Sequence, residues 1–145
     1  MKIVKSIFLL SFTLMALGSC KKYTDGPALS LRSKKARLCQ TWVTQYYSEN
    51  GVDKTTDWNN TFQSAYISLN KDGNYSIYYK LLGNFDYNET GTWAFTANKL
   101  NVVYTRVTPS ADQWDWHILR LTKKEFWISD VNSSGVLQEL KMIPK

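Results

Sequence analysis

The pattern of side chains after Thr41 constrains the fold most strongly, because apolar and polar residues alternate there in short runs. Turn residues separate the runs, as in Asn70-Lys71-Asp72-Gly73, whose glycine suits a hairpin turn. The runs predict eight strands: Trp42–Ser48, Phe62–Asn70, Tyr75–Leu82, Gly91–Thr96, Leu100–Val107, Trp114–Leu121, Glu125–Asp130 and Val136–Ile143. Such an all-β meander closes most simply as an eight-stranded antiparallel up-and-down barrel, because closure removes its edges. A half-open barrel or a β-sandwich is the alternative.

One short helix is predicted before the strands, over Leu29–Leu38, where Pro27 suits a helix start and no breaker follows. The alternation also predicts which side chains point into the barrel. These are Trp42, Ile67, Leu69, Tyr75, Ile77, Tyr79, Trp93, Phe95, Leu100, Val102, Tyr104, Trp116, Ile118, Phe126, Ile128, Leu140 and Met142. The remaining Cys39 is expected to pack as a small apolar residue.

Four short motifs, in this order and at this spacing, resemble the lipocalin-like domains of small extracytoplasmic bacterial lipoproteins. They are Leu38 with Trp42; Ile67 and Leu69 followed by Asp72-Gly73 and Tyr75; Gly91-Thr92-Trp93-Ala94-Phe95 followed by Leu100 and Val102; and Ile118, Leu121-Thr122 and Phe126. Gln40 stands where that family usually has glycine. The resemblance implies a lipocalin-like barrel that holds a small apolar ligand, with no catalytic residues. The side chains expected to line a ligand site are Trp42, Tyr75, Tyr79, Trp93, Phe95, Tyr104 and Trp116.

The first residues have the pattern of an export signal, since Lys2 and Lys5 precede an apolar run too short to span a bilayer. Leu17-Gly18-Ser19-Cys20 resembles the lipobox of bacterial lipoproteins. It implies removal of residues 1–19, acylation of Cys20, and attachment to the bilayer of the cell envelope, with the outer membrane favoured. Residues 20–27 would be a lipidated tether and 28–145 the barrel domain. In a plain secreted protein, a Cys20–Cys39 disulfide would be the alternative.

Charge and composition exclude several function classes. The net charge of +6 falls to +4 once Lys2 and Lys5 are removed, and the basic residues form no aromatic-lined stripe, so nucleic-acid binding is not expected. One histidine and two cysteines provide no structural metal site, and no cofactor motif is present. The segment Asn70–Asn74 is interpreted as a turn rather than half of a calcium loop, because the later glutamate is missing.

An enzyme is not expected either. Asp112, Asp115 and His117 are the residues that could carry acid–base chemistry, but their simplest interpretation is as ordinary strand and loop positions. Six tryptophans and nine tyrosines leave a second hypothesis open, a surface module that binds a protein or glycan of the envelope through exposed aromatic rings. Trp58 and Trp114 form the predicted surface patch, and the other candidate rings are Tyr46, Tyr47, Tyr78, Tyr87 and Trp127.

Overall fold

The computed structural model describes residues 32–145. The predicted signal peptide, Cys20 and the tether lie outside the described residues. In chain order the elements are α1 (Lys34–Leu38), β1 (Thr41–Glu49), β2 (Val52–Asp53), α2 (Thr55–Thr61), β3 (Phe62–Leu69), β4 (Asn74–Leu81), β5 (Phe85–Phe95), β6 (Asn101–Thr108), β7 (Asp112–Leu121), β8 (Phe126–Val131) and β9 (Leu137–Pro144). Within this part of the chain, no helix has the length and apolar character needed to cross a bilayer.

The strands form a closed antiparallel barrel, which confirms the predicted fold. Strands β3 to β9 pair in sequence order, and β1 pairs with both β3 and β9. The β1–β9 pairing runs from Trp42 opposite Pro144 to Glu49 opposite Gln138, so it closes the sheet and excludes a sandwich. Strand β2 is an additional two-residue strand, hydrogen-bonded to the end of β1.

The barrel has two different ends, which are named here by their connections. The closed end comprises α1 and the connections 70–73, 96–100 and 122–125. The open end comprises α2 and the connections 82–84, 109–111 and 132–136. This division follows from the up-and-down topology, in which alternate connections lie at opposite ends.

Tight packing around α1 fills the closed end. Leu38 and Trp42 are fully buried, and the indole N–H of Trp42 donates to the carbonyl of Leu38 at 2.9 Å. The side-chain amide of Gln40 donates to the carbonyls of Arg37 (3.1 Å) and Lys123 (3.0 Å). At the position where the resembled family usually has glycine, this glutamine therefore ties α1 to the β7–β8 hairpin.

The predicted inward face is confirmed, because each of its residues lies in the core, packs against it, or lines the cavity described below. Cys39 packs half-buried against the core, and burial raises the pKa of its thiol. The turn at residues 70–73 is also as predicted. Gly73 has a φ of +92°, and its N–H donates to the carbonyl of Asn70.

Four local features differ from the prediction. Helix α1 begins at Lys34 with Ser33 as its N-cap, so residues 32–33 of the predicted helix Leu29–Leu38 are not helical. Strand β5 begins at Phe85 rather than Gly91, because its polar residues continue the pairing with β4 up to Leu81. The segment expected to be one long loop contains β2 and α2. A bulge between Thr44 and Tyr46 in β1 shifts the alternation, so the phase read from Trp42 does not hold for the second half of the strand.

Candidate ligand-binding site

A cavity of about 450 Å³ occupies the half of the barrel nearer the open end. Its lower wall is apolar and consists of Trp42, Ile67, Ile77, Trp116, Leu140 and Met142. Its upper wall is aromatic and polar, with Tyr47, Trp58, Phe62, Tyr79, Tyr87, Glu89, Arg106, Asp112, Trp114, Asp130 and Gln138. Cavities of this size, mostly apolar with a few placed polar groups, are typical of small-molecule sites.

A continuous row of rings crosses one side of the upper wall. Trp58 of α2 lies between Tyr47 and Phe62, with ring centroids 4.6 Å from each. Phe62 meets Tyr79 edge-on at 5.1 Å, and Tyr79 stacks on Tyr87 at 4.6 Å. Strand β1 pairs with β3 only through Thr41 and Trp42, so Trp58 fills the gap that these strands leave beside the cavity.

The opposite side carries a second group of rings, held by β6 and β7. Trp114 and Trp116 both contact the buried Tyr104, with centroids at 5.8 Å and 4.7 Å. Trp114 is parallel to the Tyr104 ring and meets Tyr75 edge-on at 6.2 Å. The cavity therefore lies between two aromatic walls whose rings are fixed by the core behind them.

Glu89 is the centre of the polar part of the site. It is only 5% exposed, and its carboxylate accepts hydrogen bonds from the hydroxyls of Tyr75 (2.7 Å) and Tyr87 (3.0 Å). The guanidinium of Arg106 donates to it at 3.4 Å. These three donors satisfy a carboxylate whose burial would be costly without hydrogen bonds and a counter-charge.

Each of the three guanidinium nitrogens of Arg106 donates one hydrogen bond to the protein. Besides Glu89, it donates to the Asp112 carboxylate at 2.9 Å and to the Ser110 carbonyl at 2.7 Å. Its guanidinium also lies 5.6 Å from the ring centroid of Trp114. Asp112 is 56% exposed, so this ion pair marks the rim where the cavity meets solvent.

A second polar group lies on β1, β8 and β9. The Tyr47 hydroxyl donates to Glu49 at 2.6 Å, and the Gln138 amide contacts both residues. Asp130, opposite Gln138 in the β8–β9 pairing, accepts a backbone hydrogen bond from Val131 at 2.7 Å. Among residues 32–145, Asp130 forms no ion pair.

Burial and these carboxylates keep the tyrosines of the cavity protonated. Burial, with the hydrogen bond to Glu49, raises the pKa of Tyr47 to about 12. Burial and the charge of Glu89 raise the pKa of Tyr79, and the same causes plus the hydrogen bond to Glu89 raise that of Tyr87. At neutral pH these hydroxyls are therefore neutral groups. The indole N–H of Trp58 is buried with no acceptor in the described part of the chain.

The structure separates the predicted ligand-lining residues into two groups. Trp42, Tyr79 and Trp116 line the cavity. The other four do not; Tyr75, Trp93, Phe95 and Tyr104 pack in or against the core behind and below it. Trp93, for example, is turned towards the closed end, where its indole N–H donates to the carbonyl of Asn70 at 3.0 Å.

Trp58 and Trp114, which were predicted to form a surface patch, both line the cavity and are half-buried. Trp114 has the same strand phase as Trp116 and so faces inward with it, while packing against Tyr47 and Phe62 turns Trp58 inward. Tyr47 also faces inward, since the bulge in β1 shifts its phase.

Tyr46 and Trp127 remain on the outer face, where the ammonium of Lys141 lies 4.9 Å and 4.7 Å from their ring centroids.

The acid and histidine positions on β7 do not converge. Asp112 lies at the cavity rim, whereas Asp115 and His117 are exposed and both contact Asn101 on the outer face. Residues of odd and even number on this strand face opposite sides, so Asp112 and Asp115 do not flank a common point. Residues 32–145 contain no group of side chains that could hold a metal ion.

Sequence reasoning missed Glu89 and Arg106, although a signal for both exists. Extending the inward phase of Trp93 back through Gly91 places Glu89 and Tyr87 on the inner face, and extending that of Tyr104 places Arg106 there. An acid and a base on the inner faces of adjacent strands indicate a buried ion pair. Because the predicted strand began at Gly91, this relation between Glu89 and Arg106 was not seen.

These features define a class of protein, a β-barrel closed at one end with a cavity of ligand size at the other. Residues 38–128 match the sequence profile of the lipocalin-like domain, and the chain belongs to that family. The family consists in general of non-enzymatic binding proteins. Comparison with curated proteins gives no match.

Two solved structures share the fold. A lipocalin-like protein from Bacteroides uniformis ATCC 8492 is 10% identical with a TM-score of 0.56, covering 75% of this chain and 99% of its own. An uncharacterized protein from Bacteroides eggerthii DSM 20697 is 12% identical with a TM-score of 0.50, covering 74% and 99%. At these identities the likeness concerns the fold alone.

Proposed function

We propose that this protein binds a small, largely apolar molecule inside its barrel and has no enzymatic role. The observation that carries the proposal is the cavity of about 450 Å³, which has an apolar lower wall and an aromatic upper wall. Core side chains fill the closed end, so a ligand would enter at the open end. Burial of a ligand's apolar body would provide about 25 cal/mol per Å².

We also propose that the protein is a lipoprotein of the bacterial envelope, acylated at Cys20 and attached to the outer membrane. The sequence Leu17-Gly18-Ser19-Cys20 supports this, and more than one acyl chain gives stable attachment. The tether would join the barrel at α1, at the closed end, so that the open end faces away from the bilayer. The closed-end segments 32–38, 70–73, 96–100 and 122–125 contain eight basic and two acidic residues, which favours contact with anionic head groups.

A cavity-filling substitution tests the binding role. Ala65→Trp places a large ring at the cavity wall, whereas Ala94→Trp adds the same ring on the exposed face of β5. Binding of a fluorescent apolar probe should weaken at least about tenfold in Ala65→Trp and stay unchanged in Ala94→Trp. Equal binding by both variants, with circular dichroism showing both folded, would place the probe outside the barrel.

The lipid attachment is tested by the intact mass of the protein extracted from its own membrane. The mass should equal that of residues 20–145 plus a diacylglyceryl group, with or without a third acyl chain. Cys20→Ala should abolish processing and lipid addition. A soluble protein with an unmodified Cys20 would contradict the anchor without affecting the cavity.

A further inference from the structure

The cavity differs in charge from the rest of the protein. The described part of the chain lines it with three carboxylates, Glu89, Asp112 and Asp130, and one cation, Arg106, with no lysine or histidine. The wall is therefore net negative by two charges, although the whole chain carries +6. A low-dielectric cavity lined by one sign of charge focuses its field on whatever enters it.

An anionic ligand finds no available cation in this wall. Arg106 already donates to Glu89, Asp112 and the Ser110 carbonyl, so its charge is offset by two carboxylates. A sulfate or carboxylate group that approached Arg106 would meet the negative charges of the buried Glu89 and of Asp112 at the rim. Displacing Glu89 would leave a buried carboxylate without its counter-charge, which is costly and disfavours anions.

Asp130 is the carboxylate of the wall that has no ion pair within residues 32–145. Its carboxylate is half-buried and accepts a hydrogen bond from the backbone N–H of Val131, which is neutral. Strand register places it opposite Gln138 and close to the level of Trp116 on the neighbouring β7. The negative charge of Asp130 therefore faces the cavity between the two aromatic walls.

The aromatic walls suit a cation as well as an apolar body. Ring faces attract ammonium and guanidinium groups within about 6 Å of the centroid, more strongly where water is excluded. The protein holds its own cation in this manner, since Arg106 lies 5.6 Å from the Trp114 centroid while paired with two carboxylates.

We propose that the ligand is an organic cation, in which an ammonium group faces Asp130 and the aromatic rings while an apolar body lies against the lower wall. This inference rests on the proposed function and specifies its ligand class. It predicts selection by charge among molecules that have the same apolar body.

Three matched probes test it: 4-phenylbutyl trimethylammonium, 4-phenylbutyl sulfate and 4-phenylbutanol, each titrated by calorimetry into the full mature protein in lipid nanodiscs. Empty nanodiscs correct for partition into lipid. The ammonium probe should bind about tenfold more tightly than the alcohol, and the sulfate more weakly than either. Added salt should reduce the advantage of the ammonium probe.

Two variants test whether the carboxylate of Asp130 is the group that attracts the ammonium probe. Asp130→Asn should lower the affinity for the ammonium probe about fivefold and leave the alcohol unchanged. In the control, Asp115→Asn, the chain loses the same charge on the outer face, and neither affinity should change. Because binding of the alcohol reports an intact cavity, a misfolded variant is recognised at once.

The outcomes separate this inference from the proposed function. Equal affinities for all three probes, or preference for the sulfate, would overturn the charge inference and leave small-ligand binding in place. An unchanged ammonium affinity in Asp130→Asn would overturn the role of Asp130. Failure of every probe to bind would overturn both.

Discussion

At the scale of single residues, Gly91 shows how closely strands β5 and β6 approach at the wall. A Cβ at this position would overlap the backbone carbonyl of Thr105 and lie 2.8 Å from the Tyr75 ring. Neither neighbour can move easily, because one is backbone and the other is a buried side chain that holds Glu89. The glycine is therefore required by space rather than by its backbone angles.

Gly91→Ala should destabilise the protein by about 3 kcal/mol, since overpacking forces backbone and core shifts. Urea unfolding followed by tryptophan fluorescence measures the loss. The control, Thr92→Ala on the exposed side of the same strand, should cost under about 1 kcal/mol. Similar midpoints for the two variants would show that the strands can separate locally.

Ionisation of Tyr47 makes the free energy of unfolding depend on pH in the alkaline range. Its pKa is raised from 10.0 to about 12 in the fold, so above pH 10 the unfolded chain loses this proton while the folded protein keeps it. The stability that it contributes is complete below pH 10 and declines as the pH rises towards 12, by about 2 kcal/mol.

Urea midpoints measured from pH 8 to pH 12 check this contribution. The decline should be smaller in Tyr47→Phe than in the unsubstituted protein, whereas Tyr46→Phe on the outer face should decline like the unsubstituted protein. Identical slopes in all three proteins would mean that Tyr47 does not differ in ionisation between the folded and unfolded states.

Buried apolar residues could be predicted from the sequence, whereas a buried charged residue was not. The inward phase of Trp42 or Ile128 is readable because an apolar side chain must be buried. Glu89 is buried as well, but only because Tyr75, Tyr87 and Arg106 converge on it from three strands. The alternation shows that Glu89 faces inward only when β5 is extended back beyond Gly91, and it does not show which groups compensate the carboxylate.

At the scale of elements, α2 contributes to the cavity without belonging to the barrel wall. Its sequence, Thr55–Thr61, is rich in threonine and asparagine and has no apolar periodicity, so the sequence did not predict it. The helix depends instead on Trp58, which packs between Tyr47 and Phe62. The strands could be predicted because each must bury one face. The helix could not be predicted, because a single side chain, Trp58, holds it in place.

Trp58→Ala should open the gap between β1 and β3 and let a ligand leave faster. Dissociation of a bound probe, measured by stopped-flow fluorescence, should accelerate about tenfold, with a stability loss of about 2 kcal/mol. Asn59→Ala, next to it on the exposed side of α2, is the matched control and should change neither. Unchanged dissociation in Trp58→Ala would show that ligands do not pass this side of the barrel.

At the scale of the whole molecule, charge is distributed unevenly along the barrel axis. The closed end, with α1, is strongly basic, and the cavity towards the open end is acidic. Closure itself depends on β1 pairing with β9, the two strands farthest apart in the chain. Local patterns do not specify such a pairing, so the alternation left a half-open barrel as an alternative until the structure excluded it.

This asymmetry predicts weak binding to anionic membranes even without the lipid. A soluble form that begins at Lys21 should bind vesicles containing anionic lipid and not zwitterionic ones, and high salt should release it. Replacing Lys123 and Lys124 with glutamate should weaken binding at least about tenfold, because each basic residue near the surface contributes about 1 kcal/mol. Lys54→Glu at the open end should have little effect on vesicle binding. If it weakened binding as much as the Lys123 and Lys124 replacements, the proposed orientation, with the closed end against the bilayer, would be contradicted.

The central claim, that the barrel holds a small molecule, is tested most directly by native mass spectrometry of the full-length protein extracted from its own membrane with mild detergent. We expect an additional small-molecule mass that leaves only on activation and that is absent from the Ala65→Trp variant but present in Ala94→Trp. A barrel that is empty in every preparation and carries a stoichiometric protein partner instead would contradict the claim and favour an interaction module.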